Sequence, residues 1–365
     1  MQIIPKANNQ RIGNPGKNLI VGKGIAGITL AFRFIQSRIP FQILDKGDGK
    51  PSSAVASGLI NPVVVKHFGL SWMGQEFFRE SEKFYRQTEQ LLNTQVYYPQ
   101  PIFRVFEDDQ QINRWSEKRS EGQVHDFTEE ATIQAPAFLK ASYGGGFIHK
   151  AARVDVEQLF EATSLFFKKQ GVLNEDWFDA KSLQSYGSGW CYKGDYFDRV
   201  FFCQGVESCK NTLWDWLPVR PAKGQLVKIK HPVPDPRLAI SQKIFILPQG
   251  GDAFKVGATF EKTSEPGITP AAMTYLQQKF DQLIYGEQYG FTIEREYYGF
   301  RPTVPDRKPL LGRHPVFDNL FFFNGLGSKG YMTAPWLSKH LYEHVFEGVE
   351  LLKEVDLERY SSNYM

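Results

Sequence analysis

Cysteine is scarce in this chain of 365 residues, which holds only Cys191, Cys203 and Cys209. An odd count with no Cys-x-x-Cys pair excludes a disulfide framework and offers no zinc-ribbon ligand set, so a reducing compartment is expected. Charge of one sign is also missing. Lys and Arg total 43 against 40 for Asp and Glu, a formal net charge of +3 that argues against a chain-wide nucleic-acid footprint. No stretch reaches the roughly 18 consecutive apolar residues of a spanning helix, and the polar segment Met1 to Lys17 lacks the apolar core of a secretion signal. These absences lead us to expect a cytoplasmic protein with no membrane partner. Repeats and low-complexity blocks are absent too. What is present is aromatic: 15% Phe, Trp and Tyr beside 23% charged residues, a globular balance in a chain long enough for about two domains.

The first ordered unit reads as a strand, Asn18 to Val21, then Gly22-Lys23-Gly24-Ile25-Ala26-Gly27, then an apolar-periodic helix to about Ser37. A second strand, Phe41 to Leu44, ends in Asp45. This is a βαβ start with a dinucleotide fingerprint. Gly22 permits the tight turn, Gly24 lets the backbone approach a pyrophosphate, and Gly27 lets the helix seat on the sheet. The helix N-terminus offers its N–H groups to the phosphates. Asp45 lies 23 residues after Gly22, where a carboxylate accepts ribose hydroxyls and favours NAD or FAD over NADP.

Further along, Phe77-Phe78, Phe84-Tyr85 and Leu91-Leu92 recur every seven residues and predict a helix within Trp72 to Leu92. A second helix is predicted over Asp155 to Lys169, and a buried strand at Arg199 to Cys203 leads to Gly205. From Lys223 to Phe300 short strands alternate with turns around a helix near Ala271 to Tyr285. A strand at Asn319 to Phe323, a glycine-rich turn and a last helix over Thr333 to Phe346 follow. The pattern gives an α/β fold: a Rossmann-like nucleotide domain (17–66, 147–218, 309–346) interleaved with an α+β substrate domain carrying a mixed or antiparallel sheet (67–146, 219–308). Residues 1–16 and 347–365 are expected to be tails.

Distributed segments in matching order resemble the FAD-dependent amino-acid and amine oxidoreductases that include D-amino-acid oxidase, glycine oxidase and sarcosine oxidase. Besides the glycine fingerprint these are Ser52 to Pro62, Val154-Asp155, Gly171-Val172, Lys223-Gly224-Gln225, Phe254 to Thr259, Gly299-Phe300-Arg301-Pro302-Thr303-Val304-Pro305-Asp306 and Gly325-Leu326-Gly327-Ser328-Lys329-Gly330. Asn61 to His67 and the last glycine turn with Thr333-Ala334-Pro335 also resemble the oxidase half of bifunctional tRNA-modifying enzymes; 365 residues leave no room for their methyltransferase half.

The resemblance implies noncovalent FAD held by Gly22, Gly24, Ile25, Ala26, Gly27, Asp45 and Lys46. Ser53, Ala56, Ser57, Gly58 and Leu59 would pass beside the flavin, with the Val172 backbone at the adenine, and Gly205, Gly325, Gly327, Ser328, Lys329 and Gly330 would complete the cradle. It implies a carboxylate-bearing amine as substrate, hydride transfer to flavin, imine hydrolysis and oxygen as acceptor. Arg301 is the implied carboxylate anchor, a role suited to a planar, permanently charged fork; the alternative is a structural Arg. Lys255 either serves the reaction of reduced flavin with oxygen or is a strand lysine facing solvent. Lys329 either adds charge near the flavin pyrimidine or is solvated. Asp306 is expected to cap local N–H groups, Tyr297 or Tyr298 to line the pocket or the core, and His340 and His344 to be structural, with no metal site. The alternative function is removal of the carboxymethyl group from 5-carboxymethylaminomethyluridine in tRNA, with Lys66, Lys223, Lys228 and Lys230 as a basic track. An NAD-linked dehydrogenase and a catalytically inert flavin-binding module are further competitors.

Overall fold

The computed structural model describes residues 16–47 and 51–364. The expected tail at the N-terminus therefore lies, but for Gly16, outside the described residues. The chain divides into two compact units: residues up to Ala54, Phe160–Ala222 and Phe300 onward form one, and Val55–Leu159 with Lys223–Gly299 form the other. These divisions fall at Ala54 and Leu159, where the sequence pattern suggested positions near 66 and 147. No helix among the described residues is long and apolar enough to cross a membrane.

The first unit is built on a six-stranded sheet in the order Leu310–Arg313, Leu320–Asn324, Arg199–Phe202, Asn18–Val21, Phe41–Asp45, Leu173–Glu175. All neighbours run parallel except the first pair. After Asn18 and Arg199 the central strands are apolar, because both faces are covered. On one face Leu19, Val21, Leu44, Val200, Phe202 and Phe322 join Trp190, Tyr192 and Trp214 in a core shared with the antiparallel strands Leu183–Tyr186, Gly189–Tyr192 and Asp195–Phe197. The other face receives helix Ile25–Gln36, whose Phe34 meets Phe201 edge-on at 5.3 Å and Phe346 of the last helix at 5.7 Å. Arg33 donates to the Pro335 carbonyl at 2.9 Å, tying the first helix to the last.

The helix seats on the sheet through glycine. Gly22 has φ +101°, and a Cβ there would stand 2.6 Å from the Cys203 carbonyl oxygen. A Cβ on Gly27 would stand 1.9 Å from the Gly22 oxygen. Both obstacles are backbone, so neither can swing aside.

The second unit holds a mixed seven-stranded sheet ordered Thr292–Thr303, Arg220–Lys230, Ala253–Gly257, Phe245–Gly250, Ala239–Ser241, Ile102–Val105, Gly145–Ile148, with one parallel step between Ala239–Ser241 and Ile102–Val105. Helix Pro270–Leu283 buries Leu276, Phe280 and Leu283 against Val227, Ile229, Phe254 and Val256. A three-stranded sheet pairs Leu59–Ile60 and Tyr97–Pro99 with Ala152–Val154. Helix Gly74–Leu92 buries Phe77, Phe84 and Tyr85, but the third predicted pair fails: Leu91 is exposed because the helix is stopped by Asn93 in a left-handed conformation.

Residues 347–365, expected to be a tail, pack onto the first unit: Val355 accepts the Leu311 N–H at 2.8 Å and Leu357 is buried in the core. Tyr364 meets the His314 ring edge-on at 5.1 Å. His314 Nδ1 accepts from the Val316 and Phe317 N–H groups at 3.1 Å each, and Nε2 donates to the Leu213 carbonyl at 3.1 Å, an arrangement that requires the neutral ring.

Two tests follow from this packing. Gly27→Ala forces methyl against main chain and is expected to cost more than about 3 kcal/mol, read as a fall in Tm of at least about 6 °C. Burial pushes His314 down from 6.5 to about 4. Between these values the unfolded chain binds the extra proton, so stability is complete above pH 6.5 and declines as pH falls toward 4. Urea unfolding should show that decline, and His314→Asn should flatten it.

Candidate functional site

Helix Ile25–Gln36 begins at Gly24, which makes no side-chain cap, and no acidic residue occupies its first turn. Its positive end is therefore presented without a carboxylate to neutralise it. Ser53 fills part of this role: its Oγ accepts the Ile25 N–H at 3.1 Å, and its carbonyl accepts the Tyr331 hydroxyl at 2.7 Å. Ala26 and Gly27 complete the first turn as expected from the fingerprint.

At the end of the second strand, Asp45 accepts the Lys23 N–H at 2.7 Å through Oδ2 and the Gly47 N–H at 3.1 Å through Oδ1. The carboxylate is thus oriented by backbone while keeping lone pairs for hydroxyl donors. Lys46 lies 4.8 Å over the exposed Trp177 indole. Val172 follows the helix end: its N–H donates to Phe167, and its carbonyl accepts from Ile43 and keeps a second lone pair. The backbone beside Asp45 is Asp176, which donates to the Asp45 carbonyl at 3.0 Å.

Arg301 is half-buried on strand Thr292–Thr303, not in a proline-rich turn. Ser52, which sequence reasoning passed over, holds it in place: the Ser52 hydroxyl accepts the Phe300 N–H at 3.1 Å and donates to the Phe300 carbonyl. On the other side, Pro302 accepts the Gly327 N–H at 3.0 Å. A Cβ on Gly325 would stand 2.8 Å from Val304, and one on Gly330 would stand 3.2 Å from Ile25. Segments from the beginning and the end of the chain therefore meet within the first unit: the fingerprint helix, Ser52-Ser53, Phe300 to Thr303, and Gly325 to Gly330. Gly205 joins them through its carbonyl, which accepts from Asn324 at 2.7 Å, while Asn324 accepts the Gly325 N–H at 2.9 Å. Ser328 is exposed. Lys329 caps the helix Gly330–Glu347 and is half-buried, and burial pushes its pKa from 10.5 down to about 8. Burial also lowers Arg301.

The remaining candidates belong to the second unit. Ala56 precedes Ser57, whose Oγ accepts the Leu59 N–H at 3.2 Å, and Leu59 pairs with Arg153. A Cβ on Gly58 would stand 2.2 Å from the Val154 carbonyl oxygen. Lys255 does not face solvent: it is 2% exposed, and its Nζ lies 3.8 Å from Glu157 Oε1. Tyr297 is buried and donates to that same oxygen at 2.8 Å, whereas Tyr298 is more than a third exposed. Glu157 had no sequence signal, since nothing along the chain places it beside residue 255.

Of the basic-track lysines, Lys228 and Lys230 both engage Glu294, at 3.7 and 3.0 Å, Lys223 is 1% exposed, and Lys66 is exposed. Asp306 accepts the Lys308 N–H at 3.0 Å and also takes Arg359 at 2.9 Å, as a capping residue should. His340 accepts the Leu352 N–H, and His344 contacts the Val349 carbonyl. Both histidines are structural. No group of three or more His, Cys, Asp or Glu among the described residues is placed to hold a metal ion.

The first unit suits an extended dinucleotide. Its fingerprint turn has no Cβ where phosphates approach, its carboxylate is set for ribose, and beside Gly205 and Gly327, both left-handed, nothing lies within 4 Å of an added Cβ. A family model described as FAD dependent oxidoreductase, DAO, matches residues 18–344. The chain is 24% identical to the bifunctional protein ThiO/ThiG of Trichormus variabilis over 349 residues, 90% of this chain and 52% of that one. It is 22% identical to the glycine oxidase of Pseudomonas aeruginosa over 343 residues, 87% of this chain and 91% of that one. Similarity to the tRNA 5-methylaminomethyl-2-thiouridine biosynthesis bifunctional protein MnmC of Leptospira interrogans is 21% over 379 residues, 86% and 55% of the two chains. The chain spans about half the length of the bifunctional relatives. Among solved structures, glycine oxidase from Geobacillus kaustophilus shares the fold, with a TM-score of 0.79 and 20% identity over 94% of this chain and 98% of that one. Because the family match runs from the first strand of the parallel sheet into the last helix, the chain belongs to the FAD dependent oxidoreductases, and FAD is the cofactor its fold is built to hold.

Proposed function

We propose that the protein oxidises a small amine bearing a carboxylate, of the amino-acid or N-alkyl-glycine type. Hydride leaves the α carbon for noncovalently held FAD, the imine hydrolyses in water, and oxygen takes the electrons. The observation that carries this reading is the mounting of Arg301. Arg301 sits half-buried, and its strand is gripped on one side by Ser52, through Phe300, and on the other by Gly327, through Pro302, so its position is fixed by backbone. A carboxylate is the planar anion that matches this fork. The name of the Pseudomonas aeruginosa relative, glycine oxidase, supports the same substrate class.

FAD supplies the two-electron acceptor when bound. Arg301 binds and orients the carboxylate so that the α C–H bond is presented in one geometry. Lys329 and the N-terminus of the last helix supply positive charge for the pyrimidine side of the ring. Lys255 supplies a buried cation for the oxygen reaction. A tRNA substrate is the weaker reading, because three of the four lysines that would receive its backbone are paired or buried.

Anaerobic mixing of the holoprotein with N-methyl and D-amino acids should bleach the flavin absorbance with at least one of them; a panel without effect overturns the reading. Arg301→Ala is expected to raise KM for that amine by about 100-fold, the worth of a charged, paired hydrogen bond, with FAD retained. Lys329, pushed down to about 8 by burial, favours the reduced, anionic ring when it is protonated. Reduction should therefore draw an extra proton above pH 8, so the flavin reduction potential should fall more steeply with pH there than below it, and Lys329→Met should remove the extra slope in a redox titration.

A further inference from the structure

Lys255 occupies the middle of strand Ala253–Gly257, and its register partners are Lys228 and Leu247. Its register partners therefore offer it a second cation and an apolar side chain, and no carboxylate. The balance comes from the start of helix Val156–Lys169, where Asp155 and Glu157 face it, while Arg153 and Lys228 oppose. Asp155 is already engaged: Oδ1 accepts the Gln158 N–H at 3.1 Å, and Oδ2 lies 3.7 Å from Arg153. Glu157 is left as the main counter-charge, at 3.8 Å.

Glu157 is half exposed, at 47%, and a carboxylate so placed would ordinarily turn to water. Tyr297 prevents this by donating its hydroxyl to Oε1 at 2.8 Å, the same oxygen that faces Lys255. The Tyr297 ring is itself packed between cations, with Lys255 Nζ 5.4 Å and the Arg295 guanidinium 5.2 Å from its centroid. We infer that Glu157, aimed inward by Tyr297, is a positioning residue that keeps the buried Lys255 ammonium charged and in place. This inference rests on the proposed function only for the use made of Lys255 in the oxygen reaction.

The electrostatics agree in direction. Burial lowers the Lys255 pKa, and Glu157 followed by Asp155 works against that fall. Burial likewise disfavours ionised Glu157, but the Tyr297 hydroxyl and the charges of Lys255, Arg295 and Lys228 outweigh it and hold the carboxyl below its ordinary range. Removing the Glu157 charge leaves Lys255 between Asp155 and two opposing cations, so its proton is released at lower pH.

The test uses FAD-loaded protein carrying lysine labelled with carbon-13 at Cε, with Lys255→Met identifying the Lys255 resonance. Glu157→Gln keeps an acceptor for Tyr297 and removes only the charge. It should move the Lys255 midpoint down by at least about one pH unit, a tenfold loss of proton affinity. Tyr297→Phe keeps the charge and frees its direction, and should move the midpoint the same way by less. An unmoved midpoint in Glu157→Gln overturns the inference. Flavin reduced chemically, without any amine, is then mixed with oxygen across the same pH range. The pH at which reoxidation slows should fall in step with the midpoint. A moved midpoint with reoxidation indifferent to Lys255→Met upholds the Glu157–Lys255 coupling and overturns instead the oxygen role given to Lys255.

Discussion

The first unit depends on a close approach of main chain to main chain at the end of its first strand. With no Cβ on Gly27, the first helix rests directly against the Gly22 carbonyl, and with none on Gly22 the turn lies flat against Cys203. That seating decides where the helix N-terminus points. Once it is set, the Ile25 N–H reaches Ser53, Ser53 reaches Tyr331 of the last helix, and Gly330 can settle against Ile25. Ser53 and Gly330, the residues at the close approaches, carry a short side chain or none. Larger residues would hold the same segments apart by the width of a methyl group or more, and an extended dinucleotide needs them together.

A second constraint is electrostatic, and the whole-chain charge of +3 conceals it. Arg301 and Lys329 in the first unit, and Lys255 in the second, are cations withdrawn from water. In a low-dielectric surrounding each such charge counts for more than it would at the surface. The chemistry proposed for this family member is rich in anions: two cofactor phosphates, a substrate carboxylate and a reduced ring. Glu157 shows the complementary device, a carboxylate retained near the surface and turned inward by a tyrosine.

Local signals in the sequence proved reliable where the physics is local. The fingerprint strand, turn and helix are legible because period, glycine spacing and the acid at Asp45 all belong to one short βαβ unit. The last helix and its glycine turn are legible for the same reason, although the helix starts at Gly330, three residues before the apolar pattern suggested. Errors gather where a residue's partner is remote. The final residues look like a tail because their partners, Leu311 and His314, lie far back in the chain.

The amino-acid sequence by itself determined the fold class, the nucleotide turn and the presence of a guanidinium in an unusual glycine–phenylalanine–proline setting, because these follow from backbone geometry over a few residues. Tertiary structure alone decided which side chains act together. Ser52 grips residue 300, and Glu157 with Tyr297 attends residue 255, across separations that no periodicity encodes. The physical reason is that burial and hydrogen bonding are properties of neighbours in space, and a folded sheet chooses those neighbours by register and packing.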